Sequence, residues 1–437
     1  SMKEKLASFY NKEQLKNLQE RGVKIPDLSS VKIGKEISPE KISPGSTLYP
    51  FVRINGEKTN IKSGAQIGIF GPATLEDSWI GEDAIVGNLG HVTLKDVVVG
   101  PKSVLGSGVA EKSVLLGKEF FLNEFTTGYG FRIRKGSLYE EDSSSAQHTD
   151  TKMTILFPWA TLGSNINFCD VMLTGGEGPE IGFFSEVGSG TIHFNFTMRG
   201  DKATASLFGD VSRGVFLNSE RIFLGGNNSL IGPIKADYGV MTAANARING
   251  NLSAGLNFGK SLPMGRISYD IKIFIGFLDI VFKQINFLAE LVSLYNWYKQ
   301  IRVSCIAQTP EKKFIYTSGL NIVELNFEER LSHLSEFINS FQNSFVLNEK
   351  SNKFTKKEIL KQRRFLDNWY LIKERLSKLT NFEISAPDLL KKNIREQQAN
   401  GIQNYTELIK NLPKGVRKSG EKWLNKISQK VRDVASY

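Results

Sequence analysis

Cysteine is nearly missing from this chain: Cys169 and Cys305 are the two among 437 residues. Two such thiols give no disulfide framework and no cysteine-based zinc site, so a reducing compartment, the cytoplasm, is the expected setting. Histidine is scarce as well, four in all, and His91, His148 and His333 stand apart without metal-ligand spacing, so no metal is expected. Proline is held to 13 residues against 40 glycines, which excludes a Pro-rich linker and points to many tight turns. A long uninterrupted apolar run is lacking too. The longest, 271–297, carries Lys272, Asp279, Lys283 and Glu290, each costly at a bilayer centre, so it reads as a packed helix. The first residues hold no apolar signal-peptide core, and the Ser ahead of Met2 reads as a cloning remnant. What is present is globular in composition, 40% apolar and 23% charged, and long enough for two to four domains at about 100–200 residues each.

Glycine and charge are unevenly spread. Of the 40 glycines, 34 precede Pro263, and residues 350–437 hold 21 Lys/Arg against 9 Asp/Glu, giving +12 and leaving about −1 for the rest of the net +11. The first 30 residues carry one short helical pattern through Leu6, Phe9, Tyr10, Leu15 and Leu18, a candidate cap for the β-rich region beyond it. From Val31 onward β-branched residues sit beside glycine, and Ile61/Ile67, Ile80/Val86 and Ile181/Val187 are each spaced by six. A strand repeats every two residues and a helix every 3.6, so a hexad means short strands parted by turns, one apolar residue per turn facing a shared core. That predicts a solenoid over 31–262 between a helical cap at 1–30 and a mainly helical, basic region at 263–437. Helical stretches are expected at 327–346, 355–380, 387–398 and 403–432, with 303–326, whose Thr309-Pro310 and Ser318-Gly319 read as turn signals, as a connector holding a short hairpin.

The string from Gly176 to Phe196, with Glu180-Ile181-Gly182 and Gly188-Ser189-Gly190-Thr191-Ile192 followed by Asn195-Phe196, resembles the acetyltransferase domain of bifunctional UDP-N-acetylglucosamine pyrophosphorylase/glucosamine-1-phosphate acetyltransferase. Flanking segments extend the likeness: Phe131-Arg132-Ile133-Arg134-Lys135-Gly136, Ala160-Thr161-Leu162-Gly163 and Phe208-Gly209-Asp210. Proteins described as UDP-N-acetylglucosamine pyrophosphorylase-related are similar more loosely. The resemblance implies a left-handed parallel β-helix, a hexapeptide-repeat solenoid, making the chain mainly β with a C-terminal α-helical region. It also implies a homotrimer, acetyl-CoA or another acyl donor as cosubstrate, and an amino sugar or nucleotide sugar as ligand. The pyrophosphorylase half is missing, since residues 1–130 show neither βαβ alternation nor a Gly-rich nucleotide loop.

N-acyl transfer needs a base to free the sugar amine and cations to hold its phosphate. The family's basic histidine falls at about Asp170 and its tyrosine at Leu173, while a phosphate-binding lysine falls at Pro158 or Trp159. Asp170 and His193 are therefore the candidate catalytic groups, set against a turn-capping aspartate and a hydrogen-bonded rung histidine. Arg134, Asn195 and Lys202 are the candidate substrate contacts, set against a solvated corner, an internal asparagine ladder and an exposed charge. Two function classes stay open: an acyltransferase, and a non-catalytic β-helix that binds sugar nucleotides or organises an assembly. The basic tail interleaves cations and aromatics, which invites nucleic acid or an anionic membrane. Phe365, Trp369, Ile372 and Leu376 nevertheless fall at helical spacing, so packing of those side chains is the favoured reading.

Overall fold

The computed structural model describes residues 8–120, 124–259 and 263–435. The readings for Leu6, for the first five residues and for a boundary at 262 fall outside them. The chain forms a parallel β-solenoid of about 12 turns followed by a C-terminal helical region.

Coils stack in register because the same kind of residue returns after each circuit. Leu48, Ile67, Val86 and Leu105 pair one upon another at intervals of 19 residues, and a second ladder joins Ile42, Ile61, Ile80 and Val99. A third links Ile33, Ile54, Leu75 and Leu94. All of these side chains are buried. One coil alone would leave them wet, so stacking supplies roughly 1.5–3 kcal/mol per aliphatic, and truncating one to Ala costs about 2–5 kcal/mol. Ile61 and Ile67 stand on adjacent ladders of this core. The corners repeat as well: Gly45, Gly64, Asp83 and Lys102, again 19 apart, hold left-handed φ of 83°, 73°, 55° and 59°. At Gly64 a Cβ would fall 1.9 Å from Asp83 Oδ1, so a side chain there would have to displace that carboxylate as well as hold a left-handed φ.

The third hexad departs from the rest. Val187 is buried but Ile181 is 93% exposed, because Thr161 pairs with Glu186, 25 residues on, and the surplus leaves the coil as a loop.

Two compact units divide the chain. The first takes the described residues up to Phe168 together with Gly178–Gly190. It opens on α1 (Lys12–Glu20), started by a capping box between Asn11 and Gln14 and burying Leu15 and Leu18.

The second unit takes Cys169–Glu177 and the chain from Thr191 onward. It holds the last coils, α2 (Val211–Gly214), α3 (Phe277–Trp297), α4 (Pro310–Lys350), α5 (Lys356–Leu376), α6 (Asp388–Ala399), α7 (Tyr405–Lys410) and α8 (Lys414–Asp433). α3 is buried on nearly every side over its second half, as a helix apolar all round must be. Its polar exceptions are partnered: Gln284 bonds both backbone groups of Ala205, Glu290 accepts from Val211 N–H, and Ser293 donates to the Leu424 carbonyl.

Residues 303–326 correct the expected hairpin and shorten the connector: 303–306 end a π-helical stretch, Tyr298–Ile306, 307–309 link it onward, and 310–326 are the first part of α4. Thr309 caps α4 by accepting from Lys312 N–H, and Pro310 takes the first helical position, where no N–H is missed. Gly319 is not a turn residue. The ring of Tyr298 lies where its Cβ would be, 2.7 Å away, so the glycine admits a close approach inside the helix.

Candidate functional site

Asp170 lies in the strand Asn167–Leu173 at φ 63°, the corner conformation also taken by Asp83, Asp142 and Asn165 and tolerated by short polar side chains. Its carboxylate is buried, with the residue 1% exposed. Oδ2 accepts from Asn195 Nδ2 at 3.0 Å, and Oδ1 stands 2.9 Å from Nη2 of Arg330 on α4. The second contact is too bent for a hydrogen bond, so its attraction is Coulombic. Arg330 is itself buried, and its Nη1 donates to the backbone carbonyl of Lys202 at 3.3 Å. One cation thus ties the Asp170 corner to the 197–202 loop.

His193 is 2% exposed on the strand Ile192–Phe194. Nδ1 donates to the Cys169 carbonyl at 2.6 Å, which leaves Nε2 to accept from the Ser206 hydroxyl at 2.7 Å. Ser206 Oγ in turn accepts from Ile234 N–H at 2.9 Å. Burial pushes the imidazole down to about pKa 4, the Arg330 cation adding to the shift against Asp170. A serine hydroxyl on Nε2 is the geometry of a serine–histidine relay, but Ser206 is fully buried too. A Cβ at Gly232 would stand 2.9 Å from Nε2, so the neighbouring coil fills the space a reacting carbonyl would need.

The remaining candidate is differently placed. Arg134, in the first unit, donates through Nε to Asp150 Oδ1 at 2.6 Å, and Arg132 reaches the other oxygen of that carboxylate at 3.7 Å. The two guanidiniums share this one carboxylate. Asp170, His193, Asn195 and the backbone of Lys202 therefore form one cluster in the second unit, whereas Arg134 belongs to a separate ion pair in the first. No protein-family model matches the chain, and no curated protein does.

Arg330 and Ser206 complete the cluster and escaped the sequence reading. Arg330 left a signal: it occupies a place on the apolar stripe Phe327, Leu334, Phe337 and Phe341 of α4, where a solvent-facing charge would not belong. Ser206 left none, being one hydroxyl among many on buried strands. Chemically the cluster holds a neutral imidazole and a paired carboxylate, both sealed. Among the described residues no group of three or more His, Cys, Asp and Glu is arranged to hold a metal ion.

A groove of about 450 Å³ opens on the first unit. Tyr129 and His148, in edge contact at 5.6 Å between ring centroids, line it with the small polar residues Ser144, Ser145 and Thr161.

Proposed function

We propose that this chain is a non-catalytic, left-handed hexapeptide-repeat β-helix of the acetyltransferase type, a cytoplasmic scaffold that binds rather than transforms its ligand. One observation carries the reading. The side chains in line for the base, Asp170 and His193, are closed into a buried knot with Arg330, Asn195 and Ser206. A general base must reach the proton it removes, directly or through one water, and a 2%-exposed histidine with both nitrogens engaged does not. The phosphate-holding role is weakened in parallel, because the Arg134 Nε that would meet a phosphate is taken by Asp150, which Arg132 shares. Ligand binding finds support in the groove of the first unit, where Tyr129 and His148 offer rings to a base or sugar. Homotrimeric association is supported by Phe51, Phe70 and Leu89, exposed apolar residues 19 apart on successive coils.

The test is thiol release from acetyl-CoA with amino sugars that are free, phosphorylated or nucleotide-linked, alongside calorimetric titration of UDP-N-acetylglucosamine. The expected result is no turnover above the buffer rate, with ligand heat that Tyr129→Ala removes. Turnover that drops by roughly 10²–10⁴ in Asp170→Asn or His193→Ala would make the chain an enzyme and end the reading.

A further inference from the structure

The segment leading into α3, the end of α4 and the start of α5 meet around one aromatic core. Phe277 stacks on Phe341 with 3.6 Å between centroids and meets Phe365 at 6.0 Å. Asn348 fastens the segment to α4, its side chain accepting from Phe274 N–H at 2.7 Å and donating to the Lys272 carbonyl at 2.9 Å. Arg363 of α5 pairs with Glu349 of α4.

That core uses the inward halves of these elements. Facing outward are large aliphatics: Ile271 and Ile275 ahead of α3, Val346 and Leu347 on α4, Leu360 and Leu371 on α5, with Ile275 67% and Leu360 65% exposed. On α5, Leu360, Arg364 and Leu371 come at intervals of four and seven, a stripe opposite the buried Phe365 and Trp369. The surroundings are basic. Residues 343–364 hold seven Lys/Arg and two Asp/Glu, 7 − 2 = +5, and both acids are engaged, Glu349 by Arg363 and Glu358 in the capping box of Thr355.

We propose that this end of the helical region docks on an anionic lipid bilayer, with its cations against the headgroups and its aliphatics at the acyl boundary. Charge complementarity and side-chain type select that occupant. Leucine and isoleucine gain nothing by stacking on bases, so a nucleic acid would leave them in water. A second copy of the same face would set +5 against +5 across an interface. No helix among the described residues is long and apolar enough to cross a membrane, so the docking is interfacial. The inference is independent of the ligand groove and of the closed knot.

Flotation of the full chain with vesicles of phosphatidylcholine alone, and with phosphatidylglycerol added, tests it. The chain should float with the anionic vesicles, less at high salt, and stay behind with the neutral ones. The double change Ile275→Glu and Leu360→Glu, at exposed sites that leave the melting temperature unchanged, should cut binding by roughly tenfold or more. Lys356→Glu with Lys357→Glu and Lys361→Glu should do the same. No flotation with anionic vesicles overturns the proposal, as does flotation indifferent to the aliphatic changes. Binding of a single-stranded oligonucleotide, or self-association lost in the aliphatic variant, without flotation would assign the face to nucleic acid or to a second copy instead.

Discussion

Nδ1 of His193 donates to a carbonyl, Nε2 accepts from Ser206, and the ring is held neutral by burial at a pKa of about 4. An unfolded chain takes up that proton near pH 6.5, so the contribution of this group to stability is complete above 6.5 and disappears as pH falls toward 4. The shift corresponds to roughly 3 kcal/mol. His193→Gln, whose amide both donates and accepts, should be less stable than the parent at pH 7 but lose less between pH 6.5 and 4 in urea titrations. Parallel pH profiles for the two proteins would refute the assignment. Asp170, His193 and Asn195, singled out along the sequence, lie together on neighbouring coils. The sequence left their roles open, because burial and partners depend on α4, and Arg330 lies 160 residues beyond Asp170.

Elements of this protein are joined by buried polar groups as much as by apolar faces, and Glu290 on α3 is the clearest case. It accepts from Val211 N–H at the start of α2 and takes Nη1 of Arg432 on α8 at 3.3 Å, while burial, then the nearby Asp210 carboxylate, push its pKa up to about 7. The folded state keeps this proton longer than the unfolded one, so the contribution is full below about pH 4.5 and lost as pH rises through 7. Glu290→Gln should flatten the stability decline over that window relative to the parent, by up to about 3 kcal/mol across it. Asp142, also raised to about 7 by burial, gives a slope of the same sign in the first unit, so the difference between parent and variant is the informative quantity. Equal slopes would show that Glu290 does not titrate there. At this scale the solenoid was legible because its ladders need one aliphatic per circuit, and a period survives in sequence. Ile181 misled because a loop can imitate the spacing without stacking, and residues 303–326 misled because Pro310 and Gly319 were read as turn residues when one starts a helix and the other clears a ring.

In the second unit, α4 acts on the last coils through one buried cation, and the candidate site becomes a joint. The charge asymmetry that marks the region, +12 over residues 350–437, was plain in the sequence. Its division into a buried aromatic side and an outward basic, aliphatic side needed the packing of α3 against α4 and α5. The central claim is that Asp170 and Arg330 serve the fold as a pair. A double-mutant cycle on unfolding free energy, with Asp170→Asn, Arg330→Met and both together, tests it most directly. Arg330→Met should cost about 3–5 kcal/mol, because it strands the buried Asp170 carboxylate, and Asp170→Asn should cost less, because Glu329 Oε1 remains 3.6 Å from Arg330 Nη2. The double change should cost clearly less than the sum, a coupling within the roughly 0.5–3 kcal/mol range of contacting groups. Single costs that simply add, to within about 0.5 kcal/mol, would contradict the joint and reopen Asp170 as a group free to do chemistry.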